Sequence, residues 1–183
     1  MRNRLELVTS PAYRAKGLVV RPTIPSDAPR LVAMFERSSP ETRYSRFMAP
    51  LQHFPAAHLV DVVQSSPIRR SWVIEDRRSG QLVGVGSWFR NQAGAPDAAE
   101  VGLLIEDAFQ HRGLGTALLD ELVASACDEG INAFVAETLA GARHVFRMLQ
   151  RLGPTSIDGS GTSRTLRTLL QVDERVRSLC RLA

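Results

Sequence analysis

Residues 99–116 read Ala99-Glu100-Val101-Gly102-Leu103-Leu104-Ile105-Glu106-Asp107-Ala108-Phe109-Gln110-His111-Arg112-Gly113-Leu114-Gly115-Thr116. The first seven are dense in apolar residues, as a central strand should be. Beyond Thr116, Leu118, Leu119, Leu122, Val123 and Ala126 repeat with the spacing of one buried helical face, and Gly130 ends that helix. Between strand and helix stand Gly113 and Gly115. Glycines at a helix start let a ligand approach the backbone closely, and the first-turn N–H groups point outward with the positive end of the helix dipole behind them. That geometry suits a pyrophosphate. The stretch is not a P-loop, since no Gly-Lys-Ser/Thr follows, and it fails the dinucleotide fingerprint because Leu118 stands where the third glycine belongs; Gly84-Val85-Gly86 fails the same test at Phe89. By itself, a glycine pair at a helix start is also compatible with a plain tight turn.

Working outward, Gly17 to Pro22 is a short β-branched run stopped by proline, and Ser26 or Asp27 caps a helix carrying Leu31, Met34 and Phe35. Ser38 to Pro50 is expected to be a polar, proline-bounded loop, followed by a short helix from Ala56 to Gln64. Ser71–Glu75 and Gln81–Arg90 form a hairpin through Arg77 to Gly80, and Gly94 to Asp97 is a turn. After the central helix, Ala133–Thr138 is a strand. Val145, Met148, Leu149 and Leu152 mark an amphipathic helix closed by Gly153-Pro154, and Thr165 to Val172 is a last strand. Strand–helix–strand units imply local parallel pairing and hairpins imply antiparallel pairing. The expected fold class is α/β (α+β): a mixed, mostly antiparallel sheet flanked by helices, in a single domain spanning residues 17–172, with an extension at 1–16 and a charged tail at 173–183.

The chain has 183 residues, 44% hydrophobic and 23% charged, which excludes a disordered or fibrous protein. A chain of this size buries roughly 70% of its extended surface on folding and needs no disulfide or structural metal. The net charge is +4, and 22 of the 23 basic residues are arginine, Lys16 being the only lysine. Such a balance suits nucleic acid, an acidic membrane or a phosphorylated small molecule. The arginines are scattered with no interleaved aromatics, which argues against nucleic acid. Cys127 and Cys180 form no C-x-x-C pair, and the four histidines show no metal-ligand spacing. Met1-Arg2-Asn3-Arg4 leads into no secretory apolar run, and no stretch of about 18 apolar residues occurs, so a cytoplasmic protein without membrane contact is expected.

Gln110-x-x-Gly113-x-Gly115 between a strand and a helix resembles the coenzyme A pyrophosphate loop of the GNAT N-acetyltransferases. The likeness extends from about Leu18 to Val172, including the Arg21-Pro22 strand end, the Asp27 helix start and Leu152-Gly153 after the last helix. It implies acetyl-CoA as acetyl donor, held by Gln110, His111, Arg112, Gly113, Leu114, Gly115 and Thr116 at the pyrophosphate and by the backbone of Leu103, Leu104 and Ile105 along the pantetheine. Ser39-Pro40-Glu41-Thr42-Arg43-Tyr44-Ser45-Arg46-Phe47 and Ala99 to Leu103 are similar to the acetyltransferase domain of bacterial protein-lysine acetyltransferases, in which a glutamate placed like Glu100 is the general base.

The resemblance therefore implies transfer of an acetyl group to a primary amine, a protein lysine or a small molecule. A small-amine or antibiotic acetyltransferase and a non-catalytic coenzyme A-binding module are the alternatives. A carboxylate partly desolvated at a strand end suits proton abstraction, while a solvated or ion-paired Glu100 is the plainer reading. Leu149 stands where many family members carry a tyrosine acid, and Ala142 where an asparagine is frequent, so no acid is assigned. Arg143, Arg147 and Arg151 read as a solvated basic face, with Arg112 as the better candidate for coenzyme A phosphates. Tyr44 to Phe47 either lines the acceptor cleft or packs the first helix. Trp72, Trp88 and Phe89 belong to the core or the cleft wall. No metal site is expected, and a homodimer is left open. A chain of this length is expected to lack the fused regulatory or ligase domain that resembling enzymes often carry.

Overall fold

The computed structural model describes residues 17–90 and 95–171. The expected N-terminal extension at 1–16, the tail at 173–183, Gly94, Val172 and Cys180 lie outside the described residues. In chain order the elements are β1 (Leu18–Pro22), α1 (Ala28–Arg37), α2 (Pro40–Phe47), α3 (Ala56–Val63), β2 (Arg69–Asp76), β3 (Gln81–Arg90), β4 (Ala98–Ile105), α4 (Leu114–Asp128), β5 (Ala133–Leu139), α5 (Arg143–Gln150), β6 (Thr155–Asp158) and β7 (Ser163–Leu169). One seven-stranded sheet runs in the order β1-β2-β3-β4-β5-β7-β6. Every neighbouring pair is antiparallel except β4 and β5.

Each sheet face carries its own core. On one face the α4 side chains Leu118, Leu119, Leu122 and Val123 meet Trp88, Ala99 and Phe134. Trp88 is fully buried, and its indole N–H donates to Ser125 Oγ at 2.8 Å, so the large ring costs no unpaired donor. On the other face Leu31, Met34 and Phe35 of α1 and Val62 of α3 cover Val73, Leu82, Val85 and Leu104. Phe35, Phe47 and Phe54 meet edge to face there, with centroids 5.3–5.9 Å apart.

Three expectations are corrected. Ser38–Pro50 is not a loop throughout, because Pro40–Phe47 is helical: Ser39 caps it by accepting the Thr42 N–H at 3.1 Å, and Pro40, read as a breaker, occupies the helix start where a missing N–H costs nothing. A strand at Thr155–Asp158 pairs with Ser163–Leu169 through a polar turn, where only one strand beginning at Thr165 was expected. Asp27 does stand before α1, but its carboxylate accepts no N–H of α1 itself. It accepts instead from both Arg21 Nη atoms at 2.7 Å and from the Ile24 N–H at 3.0 Å.

Asp27 is buried and joins Arg21, Arg30 and Glu75 in one network. Burial alone would raise its carboxyl, but the Arg21 and Ile24 hydrogen bonds outweigh it and hold the native pKa below the ordinary value. A carboxyl of this kind adds stability above its unfolded pKa, about 4, and loses it as pH falls through the lower native value. Asp27→Ala leaves Arg21 without its principal partner. It should cost about 3 kcal/mol in urea unfolding at pH 7, and the deficit relative to the parent should shrink below pH 4.

Candidate active site

The one parallel pair in the sheet is short. It matches Ala98 to Ala133, Ala99 to Phe134 and Glu100 to Val135, and no pairing follows. Beyond Glu100 the strands diverge, β4 staying on β3 and β5 on β7. The Glu106 N–H donates to Val83 O on the β3 side at 2.9 Å. Antiparallel alternation then turns Leu104, Gly102 and Glu100 main-chain groups toward β3, and those of Leu103 and Ile105 toward the opening. Ile105 O is taken by Gln110 Nε2 at 3.0 Å.

The opening is part of a cavity of about 1010 Å³, large enough for a ligand of cofactor size. Glu100, Leu103, Leu104, Ile105, Gln110, His111, Gly113, Leu114 and Gly115 all line it. His111 and Gly113 both hold left-handed backbone, with φ of 57° and 78°, immediately before α4. Turns of this kind gather successive N–H groups into an anion-binding concavity. A Cβ at Gly115 would meet nothing nearer than Met148 Sδ at 3.6 Å, so the fold itself does not demand glycine there. The space in front of it is open to a ligand.

Not every predicted residue has an equivalent place. Leu104 and Leu114 are buried in the two cores, and Leu104 has its main chain toward β3, leaving Leu103 and the Ile105 N–H as the strand groups that face the opening. Gln110 spends its amide on the protein, donating to Thr42 Oγ1 and Ile105 O, both at 3.0 Å. Arg112 is exposed with its guanidinium 5.1 Å from the Phe109 ring centroid. Thr116 Oγ1 accepts from Arg151 Nη1 at 3.1 Å, while Arg143 and Arg147 are exposed on the α5 surface. Leu149 is buried at the cavity wall. Glu100 is exposed at the cavity wall rather than partly desolvated.

Two features went unread in the sequence. The first is a bridge between α2 and the glycine loop: Asp107 accepts from the Ser39 N–H at 2.8 Å and from the Ser39 and Thr42 hydroxyls at 2.7 Å, and Thr42 in turn meets Gln110. The second is Arg46, whose guanidinium lies against Gly102 so closely that a Cβ there would overlap it. Its Nη2 is 3.4 Å from His58 Nε2, and its Cζ is 4.9 Å from the Phe47 ring centroid. Burial lowers the Arg46 pKa to about 10, with attraction to Glu100 opposing the shift. Arg46 thus keeps its charge. Phe47 packs the core while Arg46 lines the cavity.

The chain belongs to the GNAT acetyltransferase family: the family model for the acetyltransferase (GNAT) domain matches residues 17–155. It is 28% identical over 136 residues to acetyltransferase Pat of Mycolicibacterium smegmatis, covering 73% of this chain and 40% of that protein, so it spans well under half the length of that relative. The GNAT domain of S. lividans PAT superposes with a TM-score of 0.74 at 28% identity, over 84% of this chain and 90% of that one. The yncA protein of Salmonella typhimurium, solved with its cofactor acetyl-CoA, shares the fold at a TM-score of 0.68 and 17% identity, over 86% of this chain and 95% of that one. Among the described residues, no helix is long and apolar enough to cross a membrane.

His58 is held neutral. Burial first, and the Arg46 charge second, push its pKa down to about 4. Because a guanidinium only donates, the neutral ring accepts at Nε2 and carries its proton on Nδ1. The unfolded chain takes up this proton near pH 6.5, so the native state loses stability as pH falls from there toward 4. In an NMR titration the His58 ring signals should stay unchanged from pH 8 to pH 5 and move with a midpoint near pH 4.

Proposed function

We propose that the chain transfers the acetyl group of acetyl-CoA to a primary amine, with a protein lysine as the leading acceptor class. The observation that carries this reading is the divergence of β4 from β5 beside a left-handed glycine turn, with Glu100 at the point where the strands part. Family membership and the likeness to the GNAT domain of S. lividans PAT support it.

The roles follow from the chemistry of each group. The N–H groups at the start of α4, from His111 to Thr116, receive the pyrophosphate, and Gly115 lets it approach. Leu103 and the Ile105 N–H offer main-chain hydrogen bonds to the amide-bearing arm along the unpaired edge of β4. Gln110 holds the loop in register through Thr42 and Ile105 rather than by touching the ligand. When bound, acetyl-CoA supplies a thioester whose carbonyl carbon is open to attack. Glu100 accepts a proton from the acceptor ammonium, directly or through water, which frees the nitrogen lone pair. A main-chain N–H such as that of Leu103 is placed to stabilise charge developing on the carbonyl oxygen. A thiol with a pKa of about 8.5 is a stable leaving group. Solvent can return its proton, so a leucine at position 149 does not forbid turnover.

The same groups serve a lysine and a small amine alike, so the acceptor panel decides between them. Glu100→Gln should lower turnover at least about tenfold in a thiol-release assay, with acetyl-CoA affinity little changed; equal turnover would remove Glu100 from the role of base. Gly115→Asp places bulk and negative charge in the anion seat. Acetyl-CoA binding by calorimetry should weaken at least about tenfold with the thermal midpoint nearly unmoved, and undiminished binding would refute the seat. A parent protein that binds acetyl-CoA yet acetylates nothing among lysine peptides, polyamines and aminoglycosides would instead be a binding module.

A further inference from the structure

Several other arginines of this fold are satisfied by the protein. Arg21, Arg37, Arg69 and Arg70 each meet a carboxylate, and Arg43 and Arg90 spend N–H groups on main-chain carbonyls. Arg46 has neither. Among the described residues no carboxylate lies within salt-bridge distance of it, and its one polar contact is the long approach of Nη2 to His58. A guanidinium carries five N–H donors in a planar fork. Arg46 is half-buried and lines the cavity, so its guanidinium is available to whatever occupies that space.

The position of the guanidinium says what can pair with it. Gly102 lies two residues from Glu100 on β4, and alternation puts both on the sheet face covered by α2 and α3. The pyrophosphate seat lies beyond the other end of β4, at Gly113 and Gly115. Arg46 therefore stands at the reacting end of the cavity, beside the proposed base and remote from the phosphates. Glycine at 102 is what admits it, since any Cβ there would overlap the fork. His58, the nearest titratable ring, stays neutral and offers a lone pair rather than a charge. Asp61 and Glu41 line the same cavity without reaching Arg46.

We propose that Arg46 is the anion receptor of the acceptor site, and that the acceptor is an amine with a carboxylate close beside it. This rests on the acetyl-transfer reading. Glu100 would take the ammonium proton while Arg46 pairs with the carboxylate, so a zwitterionic substrate meets two opposite charges in matching order. The carboxylate has two sources with one chemistry: the carboxyl group of a free amino acid, or the side chain of a Glu or Asp adjoining a lysine in a protein.

Matched acceptors separate these. Lysine peptides differing only by Glu or Gln beside the lysine, and free amino acids against their amides, are compared by thiol release with acetyl-CoA and by calorimetric binding without it. The parent protein should prefer the carboxylate member of at least one pair about tenfold or more, in line with one charged hydrogen-bonded pair. Arg46→Met should reduce that preference to near one. Gly102→Ala, which keeps the charge but displaces the fork, should reduce it too, so the result does not rest on one variant that fails to fold. Arg46→Lys should restore part of it.

A preference in the peptides only identifies an acidic-flanked lysine, and one in the amino acids only identifies a small acceptor; both support the proposal. It is overturned if the parent does not discriminate within either pair, if Arg46→Met leaves the discrimination intact, or if Arg46 proves to select succinyl-CoA over acetyl-CoA instead. Because binding is read without acetyl-CoA, a discriminating protein that turns over nothing would overturn the acetyl-transfer reading and leave Arg46 as an anion receptor.

Discussion

The parting of β4 from β5 after Glu100 and Val135 is the constraint on which the rest of this molecule turns. A strand edge inside a sheet is normally saturated by its neighbour. Here β3 pairs with β4 from Ala99 to Ile105 while β5 pairs with only its first three residues. The unpaired stretch leaves main-chain groups facing a cavity, while β4 stays held by β3 and β5 by β7. An edge of this kind can recognise an amide-bearing chain without any particular side chain, so the recognition proposed for it asks little of the sequence.

How far the sequence reveals this depends on whether each feature is local. The apolar run ending at Ile105, the glycines at 113 and 115 and the repeat of Leu118, Leu119 and Leu122 are contiguous, so strand, loop and helix are legible from spacing alone. α2 is not. Its only core residue at the site is Phe47, its surface is polar, and Pro40 looks like a breaker until Ser39 is seen to cap the turn after it. β6 is four residues long, too short for an alternation to register, and exists through its pairing with β7.

The site divides in the same way. Gln110 was expected at the cofactor because of its place in the motif, yet its amide meets Thr42, a residue 68 positions away, and no local pattern encodes that partner. Arg46 is harder still. Among 22 arginines, nothing in its neighbours distinguishes it. Its character comes from what the fold withholds: a glycine where a side chain would exclude it, and a neutral histidine where a carboxylate would pair with it. Missing interactions leave no trace in a sequence.

The Asp107 bridge gives the two halves of the cavity a common hinge point. One carboxylate holds the start of α2 through Ser39 and Thr42, and Thr42 passes the contact on to the glycine loop through Gln110. Order in the loop and order in α2 are therefore drawn from the same set of bonds. On the acetyl-transfer reading, a donor that orders the loop would also order α2 for an acceptor, and by reciprocity an acceptor would do the same for the donor.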